Sequence, residues 1–217
     1  MITIARALRE RIREVPFLEE GLAQGVINMS GLARFLKPSV EARLYKKVSV
    51  GSLVMALKRL RPAASRRRQE STNQLKSLRN LSVQSNLVEY AFPNSSQIFA
   101  LQVQLLKEAV KRKDLFLNFS HGVSETTLIV NEEFSKQVER LVPKSLRIDK
   151  IPHLTAITIK LRPEHVHVPG ILYSLLKALA WERVNIIEAI SSYTEITIIV
   201  EDKLADRAFS IIRAITS

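Results

Sequence analysis

The sequence predicts an α+β protein, in which a helical N-terminal region is followed by two units that each run strand, helix, strand, strand, helix. Three observations predict it. Apolar residues recur at a helical period through the first 60 or so positions. From residue 81 onward the period alternates between two and 3.6, in the same order twice. The charge is also split: residues 1–79 carry 17 Lys+Arg and 6 Asp+Glu, or +11, whereas residues 80–217 carry 16 and 15, or +1.

The N-terminal elements follow from the first observation. Ile4, Leu8 and Ile12 open an amphipathic helix, and Phe17, Leu18 and Leu22 form a second that Gly25 ends. Ser30 is the expected N-cap of a third, carrying Leu32, Ala33, Phe35 and Leu36 toward Pro38, with 40–44 extending it beyond a kink. Ser49 caps a fourth, with Val50, Leu53, Val54, Leu57 and Leu60 on its buried face. The opposite face carries Ser52, Met55, Ala56 and Arg59. Residues 29–36 resemble the positioning helix of a helix-turn-helix, and 48–60 its recognition helix. The dozen or so residues between them exceed the short turn that this motif prefers.

Residues 61–72 contain a proline, small residues and the run Arg66, Arg67, Arg68, and read as a basic linker or wing. The charge asymmetry predicts a polyanionic partner, DNA ahead of an anionic membrane. Ser49, Ser52, Lys58, Arg59, Arg66, Arg67 and Arg68 are the expected nucleic-acid contacts, the three linker arginines neutralising phosphates without reading sequence.

In the C-terminal unit Ile157, Ile159 and Leu161 alternate with polar residues as a half-buried strand. A polar loop then enters a helix bearing Ile171, Leu172, Leu175, Leu176 and Leu179. Val184 and Ile186 mark the next strand; Ile196, Ile198 and Val200 the one after; and Leu204, Ala208, Phe209 and Ile212 the last helix. The middle unit repeats this order. Leu81 and Val83 begin a strand, Ser95 or Ser96 caps a helix through Ile98, Leu101 and Leu105, two strands follow at 115–119 and 127–130, and Glu132 starts a helix. Offsets of 73 residues (Leu81 to Leu154, Ile98 to Ile171) and 70 (Glu132 to Asp202) predict a diverged repeat.

Val168-Pro169-Gly170-Ile171, Arg183-Val184-Asn185-Ile186 and Ser191-Ser192-Tyr193-Thr194-Glu195-Ile196 resemble the ACT domain, the small-molecule regulatory module of many amino-acid-metabolism enzymes, and look most like the ACT regions of aspartokinases. The resemblance implies a fold of two ferredoxin-like βαββαβ units, a degenerate one at 80–150 and an ACT domain at 151–217, behind a helix-turn-helix-like domain at 1–62 and a basic linker at 63–79. It also implies an amino-acid ligand and a homodimer. The carboxylate would lie against the backbone of Gly170 and Ile171, with acceptors from Asn185 or loop carbonyls; His167, Val168, Pro169 and Ile186 complete the expected site. His167 stands where the family often has Asp or Asn. Phe92-Pro93-Asn94-Ser95 lacks the glycine, so the middle unit is expected to be structural. The chain ends too soon for a final strand in the last unit, whose sheet is expected to be completed by another segment, such as 146–148, or by another subunit.

Other classes find no support. No run of about 18 apolar residues predicts a membrane span, and Arg6, Glu10, Arg11 and Arg13 interrupt any secretory signal. The absence of cysteine excludes disulfides and thiolate metal sites, and a cytoplasmic location is expected. His165 and His167 make a poor metal pair. His121 is expected in a turn, His153 in a connector, and Trp181 in packing. Phosphate loops, nucleophile elbows and paired carboxylates do not occur, so neither catalysis nor a cofactor is expected. The expected function is an amino-acid-responsive regulator that binds DNA. The alternative is a non-catalytic regulatory subunit or scaffold for an amino-acid-metabolism enzyme.

Overall fold

The structure is a computed structural model and describes residues 2–76, 78, 80–112, 115–142, 144–165 and 167–216, without the side chains of 16, 62 and 64–75. The chain divides into two compact units, Met1–Gln74 and Leu75–Ser217. The first holds four helices: α1 (Ile4–Arg13), α2 (Pro16–Gln24), α3 (Met29–Leu44) and α4 (Val50–Leu75). Gly25 ends α2 in the left-handed conformation, φ 76°, as the sequence suggests. Leu8, Leu22, Leu36, Leu53 and Leu57 are fully buried in one cluster, each contributing about 1.5–3 kcal/mol of transfer free energy.

Three expectations for this unit are corrected. The N-cap of α3 is Asn28, whose side chain accepts from the Gly31 N–H at 3.0 Å, and Ser30 lies within the helix. α3 continues beyond Pro38 through 40–44, as the sequence suggests, with Leu36 and Val40 on either side of the proline buried in the core. Residues 45–49 alone therefore separate α3 from α4, a shorter connection than the sequence suggested. Glu41 holds this turn: one carboxylate oxygen accepts from Lys37 Nζ and from the Val48 N–H, each at 2.7 Å, and these bonds hold its carboxyl below the usual range. Finally, the stretch read as a linker has helical backbone as far as Leu75, continuous with α4.

The second unit is a six-stranded antiparallel sheet. Its elements are β1 (Leu81–Pro93), α5 (Ser96–Ala109), β2 (Leu117–His121), β3 (Glu125–Asn131), a 3₁₀ turn at Glu132–Phe134, α6 (Ser135–Leu141), a 3₁₀ turn at Lys144–Leu146, β4 (Asp149–Lys160), a 3₁₀ turn at Pro163–His165, α7 (Ile171–Trp181), β5 (Glu188–Ser191), β6 (Glu195–Glu201) and α8 (Asp202–Thr216). The strand order is β2-β3-β1-β4-β6-β5. Each half supplies three strands, and β1 of the first pairs with β4 of the second. The strand that extends the C-terminal half is thus another segment of the chain, β1, rather than 146–148.

Register exposes the internal symmetry. β1 pairs Leu87 with Asn131, and β4 pairs Leu154 with Glu201; β2 pairs Leu117 with Val130, and β5 pairs Glu188 with Ile199. Residues 87–93 therefore correspond to 154–160, an offset of 67 rather than the expected 73, while 70 holds for the later strands. Asn86 and His153, 67 apart, both have φ 58°, and the β1–β4 ladder is irregular beside them. His153 lies in a strand, not a connector.

One sheet face carries the helices. Val88, Tyr90 and Phe92 pack with Ile98, Leu101, Leu105 and Val138, and Ile157, Ile159 and Ile198 pack with Leu175, Leu179, Ala208 and Ile212. On the other face Leu87, Ile129, Leu154, Ala156 and Ile199 form a further buried cluster that contains no helical residue. The central strands are consequently buried on both faces, where alternation suggested one.

Candidate functional site

The two halves part company after equivalent residues. The Asn94 N–H donates to Ser124 O at 3.1 Å, and the Leu161 N–H donates to Thr194 O at 2.7 Å, the same bond in each half. In the first half Ser95 follows at once as N-cap of α5. In the second, Gly170 caps α7 nine residues later, so the additional chain at 162–169 forms a loop leading to the helix.

Local bonds shape the described part of that loop. The Arg162 N–H donates to His165 Nδ1 at 3.2 Å, which puts the neutral ring's proton on Nε2. His165 is buried, and its carbonyl accepts from the Val168 N–H at 3.0 Å. His167 and Pro169 are exposed, and no cluster of groups able to hold a metal ion occurs among the described residues. Gly170 has φ 93°, a conformation that costs other residues roughly 1–2 kcal/mol. Among the described residues, nothing lies within 4 Å of where its Cβ would be. The first turn of α7 receives no side-chain cap from residue 170, and the Gly170 carbonyl accepts from both the N–H and the hydroxyl of Ser174, each at 2.9 Å. An uncapped N-terminal turn beside open space suits an anionic group.

Of the ligand residues expected from sequence, Val168, Ile171 and Ile186 are brought together in one hydrophobic cluster, with Ile171 buried. Asn185 is exposed. Asn185 and Ile186 precede β5 instead of forming a strand, because Arg183 takes a left-handed conformation and the Val184 N–H returns to Leu179 O. Trp181 ends α7 with 79% of its surface exposed, so packing does not account for it.

The corresponding corner of the first half is bonded by side chains to the neighbouring hairpin. Asn94 Nδ2 donates to the carbonyls of Gly122 and Val123 at 3.0 and 3.2 Å, and its Oδ1 accepts from the Thr126 hydroxyl at 2.5 Å. Since that hydroxyl proton is committed, Thr126 Oγ1 accepts from His121 Nδ1 at 2.8 Å. His121 Nε2 lies 2.9 Å from Gln102 Oε1, and its ring stacks on Phe99. His121 closes β2, not a turn. Sequence reasoning missed this network, whose members lie on four separate segments with no shared spacing. It also missed Glu89, which is buried on β1 with no hydrogen-bond partner for Oε2 among the described residues, its carboxyl pushed up to about 7 by burial and then by Glu188 and Asp149.

In the N-terminal unit the Ser49 hydroxyl accepts from the Ser52 N–H at 3.1 Å and lies 2.9 Å from the Ser52 hydroxyl. Both serines, Gly51, Met55, Lys58 and Arg59 are exposed, whereas Ala56 packs against the core. The side chains of Arg66, Arg67 and Arg68 lie outside the described residues. No described helix is long and apolar enough to cross a membrane.

No protein-family model and no curated protein sequence matches the chain. Solved structures do. The fold is similar to that of aspartate kinase from Clostridium acetobutylicum, described as an allosteric enzyme, with a TM-score of 0.53 and 15% identity; the match covers 65% of this chain and 35% of that one. It is also similar to the aspartate kinase regulatory subunits of Thermus thermophilus and Thermus flavus, each with a TM-score of 0.51 and 16% identity, over 65% of this chain and 99% and 100% of theirs. The chain thus spans about a third of the length of the allosteric enzyme and nearly all of the regulatory subunits. These likenesses show an ACT-like fold.

Proposed function

We propose that this chain is a non-catalytic, amino-acid-responsive regulator. Its two ACT-type halves share one sheet, and the loop ending at Gly170 holds the ligand. The observation that carries this reading is the open space in front of Gly170, beside a helix turn that residue 170 leaves uncapped. The ligand carboxylate would take the first-turn N–H groups of α7, with Val168, Ile171 and Ile186 toward its side chain and His167, Pro169 and Asn185 at the solvent side. A thermal-shift screen against the common amino acids tests it. Ligand at about a hundred times its dissociation constant stabilises the protein by roughly 2.7 kcal/mol, a shift of a few degrees. Gly170→Leu should abolish the shift.

The output of this regulator, in the same proposal, is DNA binding by the N-terminal unit as a homodimer, each copy contributing one reading helix. The short α3–α4 connection and the exposed stripe of Ser49, Ser52, Lys58 and Arg59 support this reading, with Arg66, Arg67 and Arg68 as further phosphate contacts. A mobility-shift titration at several salt concentrations is the test: Lys58→Ala with Arg59→Ala should weaken binding and flatten its salt dependence. The fold likeness to regulatory subunits favours a second reading, in which the partner is an amino-acid-metabolism enzyme. Recovery of such an enzyme with the purified chain, and no DNA shift at low salt, would select it.

A further inference from the structure

The N-terminal unit contains a pocket that neither reading uses. It has a volume of about 180 Å³, with Ile12, Leu22 and Leu60 as an apolar floor and Arg9, Arg13 and Glu19 around it. Ile12 and Leu22 are buried, so the floor is fixed by the same packing that holds α1, α2 and α4 together. Arg9 and Arg13 are four residues apart and share one face of α1, where like charges repel.

The other arginines of that helix have acidic partners: Arg6 pairs with Glu10 at 3.1 Å, and Arg11 pairs with Glu14. Arg9 and Arg13 form no ion pair or hydrogen bond among the described residues, although both line the pocket. Glu19 has an interaction of its own. Two exposed arginines on one helix face, with no ion pair to the Glu19 that lines the same pocket, and apolar side chains beside them complement a molecule with an anionic head and an apolar tail. A pocket of this size suits a small organic anion with a short apolar tail.

We propose that this pocket binds a small organic carboxylate, its head held by Arg9 and Arg13 and its tail against Ile12, Leu22 and Leu60. The site is separate from the Gly170 loop and independent of what that loop binds.

Calorimetric titration of the full chain with isovalerate tests the proposal, with isovaleramide as the neutral isostere and inorganic phosphate as the tail-less anion. Saturable binding of isovalerate is expected, with both controls at least about tenfold weaker. Arg9→Gln with Arg13→Gln should weaken isovalerate at least about tenfold, while Arg6→Gln and Gly170→Leu leave it unchanged. Equal binding of the amide would overturn the role of the arginines, and equal binding of phosphate the role of the floor. No saturable isovalerate binding at about 50 mM would overturn the site itself. Should the double variant fold poorly, the three ligands on the unaltered chain decide the question.

Discussion

The two strand-to-helix corners of the sheet begin alike and end differently. After Asn94 the chain turns directly into α5, with Ser95 capping the helix and Asn94, Thr126 and His121 bonding the corner to the neighbouring hairpin. After the equivalent Leu161 the chain makes a longer excursion, and α7 starts at a glycine with no side-chain cap and, among the described residues, no neighbour in front of it. At one corner a serine side chain caps the first turn of the helix; at the other the N-cap residue has no side chain to do so. A duplicated fold can thus keep its sheet in both copies while the polar valences of one corner are satisfied internally.

The largest expected effect breaks the contrast at its open side. Gly170→Leu should lose the whole ligand-dependent stabilisation of about 2.7 kcal/mol, and Gly170→Ala should separate backbone strain, roughly 1–2 kcal/mol, from occlusion of the open space. At the closed corner, Asn94→Ala removes three side-chain bonds and should cost about 1–2 kcal/mol by chemical denaturation, leaving the ligand response intact.

A third test uses Glu89 and its counterpart Ala156, each opposite an equivalent isoleucine of the adjacent strand, Ile129 or Ile199. Because burial raises the Glu89 carboxyl to about 7, the folded state holds its proton more tightly than the unfolded chain. The stability this gives is present below pH 4.5 and is lost as pH rises through 7. Glu89→Gln should therefore change stability little at pH 4 and raise it by about 1–2 kcal/mol at pH 8, allowing for water that reaches the site. Ser95→Ala should have the smallest effect, about 0.5–1 kcal/mol, because the Ile98 N–H that its hydroxyl caps is a long bond of 3.4 Å.

The order of elements was legible because hydrophobic period changes wherever strand gives way to helix. The strand-to-helix loop before Gly170 was legible too, because the alternation ending at Leu161 gives way to a helical period from Ile171. Long elements were not. Ser85 and Asn86 interrupt the alternation that Leu81 and Val83 begin, yet β1 runs through them, with a left-handed Asn86 where the β1–β4 pairing is irregular. Leu81 and Leu154 invited alignment by type, whereas register aligns Leu87 with Leu154. The run at 66–68 resembled a linker because charge density says nothing of backbone conformation, and the backbone there is helical. Burial of Ala156 and Ile199 on the second sheet face depends on distant residues such as Phe116 and Ile187, which no local period records.

The measurement that bears most directly on the contrast is amide hydrogen exchange of the full chain, with and without the amino acid that stabilises it in the thermal screen. Ligand at the open corner predicts slowed exchange in the first turn of α7, at Ile171, Leu172 and Tyr173, and no change in the first turn of α5. Slowed exchange at Gln97, Ile98 and Phe99 instead, or unchanged exchange at α7 in the presence of a stabilising ligand, would contradict the assignment of the Gly170 loop.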